Sequence, residues 1–436
     1  MFRYYLKLGL KSLRRAPVLT ALIVMILAVG IGASMTSLTM LLVMAGDPIP
    51  QKSDRLFVPQ IDIGPMNGSY RPNEEPERQM SWTDVQNLLR DAKALRQTAL
   101  YGVAPAIDPG RDELPPFRED AMATTRDVFP MFDMPFVAGG PWSAEDDTRG
   151  ADVAVIGQEL AERVFGTTDV VGRRIRIDDR DYVVTGVLGE WNPTPRFYRI
   201  NGSGVDSDVH ALWLPIQNTI GREWNNNGWT NCNGEVEPGF AGFLKSDCTW
   251  LQYWVELDSA GDRKAFEDYL SAYVAEQKTL GRLPRPVNNR LRDVGEWLEF
   301  SGAVSNDTRM ATWISFGFLL VCLVNVVTLM LAKFTARAGE IGVRRALGAT
   351  RSEIFRQSLV EAGVLGAAGA VLGLGLALYG IELVNGRLSG AEDFYAMHPS
   401  LMVGTVALGL LAALVAGLLP TWQACQVRPA IQLKSQ

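Results

Sequence analysis

The chain of 436 residues is 47% hydrophobic and 21% charged, with a net charge of −6 and a mean hydropathy of +0.04. Length alone fits two or three soluble domains, but residues 18–45, 310–332, 362–381 and 400–422 contain no charged residue at all. Four windows of about 20 residues, each long enough to cross a bilayer's hydrocarbon core as a helix, exclude a soluble globular class.

In chain order, Arg3, Lys7, Lys11, Arg14 and Arg15 precede the first span with no acid among them. The apolar stretch that follows is far longer than the 7–15-residue core of a signal peptide, and no small-x-small site precedes Asp47–Pro50, so it reads as an uncleaved anchor. After it, residues 46–309 carry 28 basic and 42 acidic side chains, a balance of −14 that argues against nucleic acid as a partner. The segment is long enough for a core of its own. Its patterning predicts a mixed α+β domain: a strand over 55–62, an amphipathic helix over 81–96 capped by Ser81 with Asp84 at its third position, and a strand over 98–106. Strands over 151–156 and 173–188 flank a short helix at 158–165, the second run turning at Asp178-Asp179 as a hairpin. Residues 190–248, rich in Gly, Asn, Trp and Pro, read as loop-rich. A strand over 250–258, a helix over 263–278 and a strand over 286–294 close the domain, so two strand–helix–strand units bracket its middle.

The C-terminal part holds three spans. Segment 333–361 between the second and third carries Lys333, Arg337, Arg344, Arg345, Arg351 and Arg356 against three glutamates, and the tail adds Arg428 and Lys434. Because Lys and Arg concentrate on cytoplasmic flanks, both termini and this segment are expected inside, with 46–309 and the loop around Arg387 outside. The expected boundaries are 1–17 cytoplasmic, 18–45 span, 46–309 extracytoplasmic domain, 310–334 span, 335–358 cytoplasmic, 359–383 span, 384–399 outer loop, 400–422 span and 423–436 tail.

Chemistry-bearing motifs are sparse. No G-x-x-x-x-G-K-[ST], G-x-S-x-G, H-E-x-x-H or Cys-x-x-Cys occurs, and His210 and His398, the only two histidines, read as ordinary loop residues. No metal site is expected. Cys232 and Cys248 both fall in the exported domain, an oxidising setting. A bridge across their fifteen intervening residues would contribute about 3 kcal/mol; the alternative is two separate buried thiols. Gly363, Gly366, Gly369 and Gly373 put small residues along the third span, fitting close packing either within the chain or against a second subunit. Asn325, polar inside the second span, is expected to hydrogen-bond a neighbouring helix. Glu382, at the outer end of the third, lies where a charge is cheap. The many rings of 191–254 fit either a filled core or, less favoured, an apolar cargo groove.

The strongest positive signal is "ARAGEIGVRRALGATRSEIFRQSLVEA", residues 336–362. It reads as a helix ending at Gly348 and a second helix capped by Thr350 with Glu353 three residues on. Ile341, Val343 and Ala346-Leu347 form an apolar stripe beside Arg344-Arg345. Such a helix fits a membrane surface or a groove on a partner.

This segment resembles the stretch after the second span in ABC-transporter permeases of the MacB/FtsX type. Further similarity lies in "KSLRRAP" (11–17), "ATTRDVFPMFDMPFVAGGPWSAED" (123–146), the run 153–188 and "LPTWQACQVRPAIQLK" (419–434). The resemblance implies a non-catalytic, bacterial inner-membrane permease whose exported domain has a strand–helix–strand lobe made from both its ends and an inserted β-rich lobe. It implies two copies of a separate cytoplasmic ATPase carrying ATP and Mg, a second permease chain, identical or paralogous, and a periplasmic adaptor as a further possible partner beside membrane lipid. The ATPase domain fused in some members does not precede the span at residue 18. By analogy 340–356 is the coupling helix, with Glu340, Ile341, Arg344, Arg345, Leu347 and Gly348 matching the family motif. The implied activity is mechanotransmission for efflux or export of a compound or peptide; the alternatives are an FtsX-like regulator of cell-wall hydrolases and a Lol-like lipoprotein-releasing permease.

Overall fold

The computed structural model describes residues 16–66, 71, 74–111, 114–201, 204–206, 210–386, 395, 397 and 399–425. The basic N-terminal cluster, Arg387, His398 and the tail with Arg428 and Lys434 lie outside the described residues. The chain divides into a unit made from its two ends, up to Met44 and from Val304, and a unit of Ala45–Ala303.

The first helix, α1 (Pro17–Met44), has 28 residues and a length of about 42 Å at 1.5 Å per residue. The inserted unit then runs β1 (Leu56–Gln60), α2 (Trp82–Asp91), β2 (Arg96–Val103), β3 (Ala106–Asp108), β4 (Phe117–Arg118), β5 (Ala121–Thr124), α3 (Val128–Met131), β6 (Phe136–Gly139), α4 (Ala144–Arg149), β7 (Val153–Gly157), α5 (Gln158–Phe165), β8 (Arg174–Ile177), β9 (Arg180–Leu188), β10 (Arg196–Asn201), β11 (Gly204–Asp206), β12 (Leu212–Pro215), α6 (Ile216–Gly221), α7 (Phe240–Lys245), β13 (Gln252–Glu256), α8 (Ala260–Thr279), β14 (Arg290–Asp293) and α9 (Val294–Ser301). The chain closes with α10 (Asn306–Thr335), α11 (Ala338–Ala346), α12 (Arg351–Asn385) and α13 (Pro399–Cys425).

In the inserted unit the two terminal strand–helix–strand pieces interleave. Their strands stand in the order β14-β1-β13-β2, all antiparallel, the order of a split β-α-β arrangement. Each helix starts where its sequence supplies a cap: Ser81 accepts from the Asp84 amide and Ser259 from the Asp262 amide. The helices α2 and α8 are joined through polar groups. The Tyr273 hydroxyl donates to buried Asp84 at 2.7 Å, and Arg282 reaches both oxygens of that carboxylate at 3.0 Å.

From β2 the same sheet continues through β5-β12-β7-β9-β8-β3-β4. The expected two lobes therefore share one twelve-stranded sheet, with β5–β12 and β7–β9 parallel. The hairpin β8–β9 turns at Asp178-Asp179, where Asp178 takes a φ of 49° and its carboxylate accepts the Ala106 amide at 2.9 Å. Residues 190–248, expected to be loop-rich, supply β12, a fully buried inner strand. Four apolar residues buried on both faces have no alternation to reveal them.

The membrane unit is a bundle of α1, α10, α12 and α13, each long and apolar enough to span. Lipid tails are as apolar as leucine, so such helices associate through close packing of small residues. A Cβ on Gly369 would stand 2.7 Å from the Leu27 Cβ, one on Gly373 3.0 Å from Ile31, and one on Gly366 would overlap Ala413. Gly363 faces Leu414 at ordinary contact distance, 3.8 Å. Three of the four glycines thus seat α12 against α1 and α13 within one chain. Gly32 against Leu376 and Gly417 against Ala362 repeat the device from the opposite side.

Asn325 does not meet a neighbouring span as expected. The inward positions of α10 are Thr312, Leu319, Cys322, Val326, Met330, Lys333 and Phe334. Asn325, one residue and about 100° from Val326, is exposed on the outside of the bundle.

Candidate functional site

Segment 336–362 folds as two helices, so the 340–356 stretch is not continuous. The short helix α11 ends at Ala346 with Leu347 as its C-cap, Gly348 adopts a φ of +103° that an L side chain resists, and α12 begins with a capping box. Thr350 accepts from the Glu353 amide and the Glu353 side chain accepts the Thr350 amide. The Thr350 bonds hold the Glu353 carboxyl below the usual carboxylate range.

The site residues divide by face. Arg344 is turned back: it pairs with Glu340 at 2.6 Å and donates to Gln357 of α12 at 3.0 Å. Ile341 and Arg345 are half-buried, while Glu340, Leu347 and Gly348 are exposed. Leu347 is 83% exposed and Val343, which motif matching passes over, 52%. An apolar pair is thereby presented beside the ion pair and the amide contact that brace the same short helix. The residue before α11, Arg337, donates to both oxygens of Glu361 at 3.2 Å, and Lys333 lies 2.7 Å from the same carboxylate. Helical spacing places Gln357 and Glu361 one turn apart on α12.

In the inserted unit, Cys232 and Cys248 form a disulfide that ties the loop after α6 to the lead-in of β13. His210 lies in a loop ahead of β12, as expected, but not at the surface. It is buried, with the Tyr198 hydroxyl 3.1 Å from Nδ1 and Arg199 2.6 Å from Nε2. Burial and the Arg199 and Arg196 guanidiniums push its pKa well down, so it is neutral. The rings of 191–254 mostly fill space: Phe197, Tyr198, Trp213 and Trp254 are buried and meet Phe132, Phe129 or Trp297 edge-on or tilted. They form core, with Trp229 left exposed. Among the described residues no group of His, Cys, Asp and Glu could hold a metal.

Four helices long and apolar enough to span, with a mixed α/β domain inserted between the first and second, define a multi-pass membrane subunit. Residues 20–273 match the MacB-like periplasmic core domain and residues 313–429 the FtsX-like permease C-terminal domain. The chain belongs to the MacB/FtsX type of ABC-transporter permease and is a multi-pass inner-membrane protein; such permeases are generally non-catalytic. Curated relatives include the pyoverdine export ATP-binding/permease protein PvdT of Pseudomonas aeruginosa, 27% identical over 69% of this chain and 40% of the relative. The macrolide export ATP-binding/permease protein MacB of Azoarcus is 26% identical over 73% of this chain and 43% of the relative. The chain thus spans about two-fifths of the length of these relatives. Among solved structures, it is similar to the periplasmic region of MacB from Actinobacillus actinomycetemcomitans, at 10% identity and a TM-score of 0.37, over 59% of this chain and 96% of that one.

Proposed function

We propose that this chain is the membrane half of an ABC transporter, driven by an ATP-hydrolysing subunit that docks on α11. The observation that carries this reading is the braced helix with Val343 and Leu347 turned outward, a form suited to a groove on a partner. ATP and Mg reside on that partner, in two copies per pair of permease chains, and the second permease is identical or paralogous. With the termini and α11 in the cytoplasm, nucleotide-driven motion of α11 is relayed through the spans to the periplasmic domain. There it acts on cargo already outside the membrane, with a periplasmic adaptor completing the path. Relatives named for pyoverdine and macrolide export support a compound or peptide as cargo.

The test is purification of the tagged chain in mild detergent, with identification of bound proteins and an ATPase assay. An ABC ATPase accompanying the parent and lost with Leu347→Asp is the expected result; one permease species then means a homodimer and two a heterodimer. A parent that emerges alone and without ATPase activity overturns the reading. Retention of lipoproteins in the inner membrane on depletion, or loss of cell-wall hydrolase activity, would move the function to lipoprotein release or hydrolase control.

A further inference from the structure

At the α11 end of the membrane bundle, a charged cluster is built around one carboxylate. Glu361 belongs to α12 and its side chain is 5% exposed. Lys333, in the last turn of α10 and 1% exposed, places Nζ 2.7 Å from it. The same ammonium lies 3.3 Å from the Thr20 hydroxyl of α1. Arg337, the residue from which α11 starts, shares one guanidinium nitrogen between both oxygens, at 3.2 Å to each. One turn earlier on α12, Gln357 receives Arg344 from the other end of α11. The short helix is therefore tied to α12 at both of its ends.

We infer that the Lys333–Glu361–Arg337 cluster is the joint through which displacement of α11 enters the bundle, with Glu361 its positioning residue. The inference rests on the proposal that α11 receives the ATPase.

Two physical arguments support it. A fully buried ammonium and carboxylate beside a membrane span are expensive to desolvate, and an apolar pair of similar shape would hold the helices at least as well. Stability alone is a poor reason for such a group. A charge-assisted contact, by contrast, is directional and keeps its geometry under load, because separating the partners leaves charges stranded in a dry site. The connection between α10 and α11 is only two residues, Ala336 and Arg337. With Arg337 anchored on α12, α11 cannot shift without moving α12, and Lys333 passes the shift to α10. The rest of the bundle is held by apolar side chains packed against glycine and alanine and by neutral hydroxyl bonds, from Ser34, Ser37 and Thr312 between α1 and α10 and from Thr36 between α1 and α12.

The experiment uses the full chain with its co-purifying ATPase in membranes, carrying Met310→Cys near the start of α10, with Cys322 and Cys425 replaced by serine. The rate of labelling by a membrane-impermeant maleimide is measured without nucleotide and with ATP plus vanadate. The parent is expected to change rate on trapping. Glu361→Gln is expected to retain the ATPase but label at the nucleotide-free rate under both conditions, and the charge-keeping Glu361→Asp to preserve part of the response. A merely structural role predicts lower yield without this separation of binding from response. If Glu361→Gln does not accumulate, Arg337→Gln at the rim of the cluster serves, with a reduced response expected. A full nucleotide response in whichever of these two variants is measured overturns the inference, as does loss of all response in Glu361→Asp. If the parent itself binds no ATPase, the coupling reading falls first and this joint falls with it.

Discussion

At the scale of single residues, the glycines of α12 make the sharpest commitment. A side chain at Gly369 meets Leu27 and one at Gly366 overlaps Ala413, so Gly369→Leu is expected to destabilise the bundle by about 1–3 kcal/mol, the usual range for overpacking. Gly375, with nothing within 4 Å, is expected to accept alanine without loss. Thermal unfolding of the two variants in detergent separates them. Titration offers a second check. Burial raises the Glu119 carboxyl to about 7 despite Arg163 at 3.4 Å. Its unfolded value is lower, so its stabilising contribution is fully present below about 4.5 and is lost as pH rises through about 7. Glu119→Gln should flatten that decline between pH 5 and 8. His210 works in the opposite sense. Its folded pKa lies below the unfolded value of about 6.5, so stability is present above that pH and is lost as acid charges the ring on unfolding. Unfolding midpoints of the His210→Gln variant should fall less between pH 7 and 5 than those of the parent.

At the scale of elements, α11 and its turn are held by local chemistry. Thr350→Ala removes the cap of α12 and should cost about 1 kcal/mol, visible in detergent melts. Reducing the Cys232–Cys248 bridge should remove about 3 kcal/mol from the periplasmic unit, read as a drop in its denaturant midpoint. Local features of this kind were legible in the amino-acid order: the charge-free spans, the Ser81 cap, the Asp178-Asp179 hairpin, and the Gly348 break followed by Thr350 and Glu353. What stayed hidden depends on partners distant in the chain. Strand β12 is four apolar residues whose identity as an inner strand comes from β5 and β7, dozens of residues away. Asn325 and Val326 are neighbours, and only the packing of α10 decides which of them faces inward. The same holds at the candidate site. The motif marks Arg344 and Leu347 alike, yet one is braced against Gln357 and the other is open. Glu361 is one more charged residue in sequence until Lys333 and Arg337 close on it.

At the scale of the whole molecule, the unit Ala45–Ala303 closes its own core and pairs its own ends. Expressed alone with export to an oxidising compartment, residues 45–303 are expected to be soluble and to unfold in one cooperative transition that moves to lower denaturant on reduction. Aggregation of that fragment, or a transition unaffected by reductant, would contradict this.

The pairing of β1 with β14 has a mechanical consequence. Phe57 stands opposite Asp293 in an antiparallel ladder, so the strand by which the chain enters the periplasmic unit and the strand by which it leaves have their outer ends side by side. Loads applied at these two roots in the same direction are borne by the whole sheet. Loads that spread the roots act like fingers opening a zipper, parting one rung of the ladder at a time instead of shearing all of them together. The unit is therefore stiff as a lever and weak as a hinge.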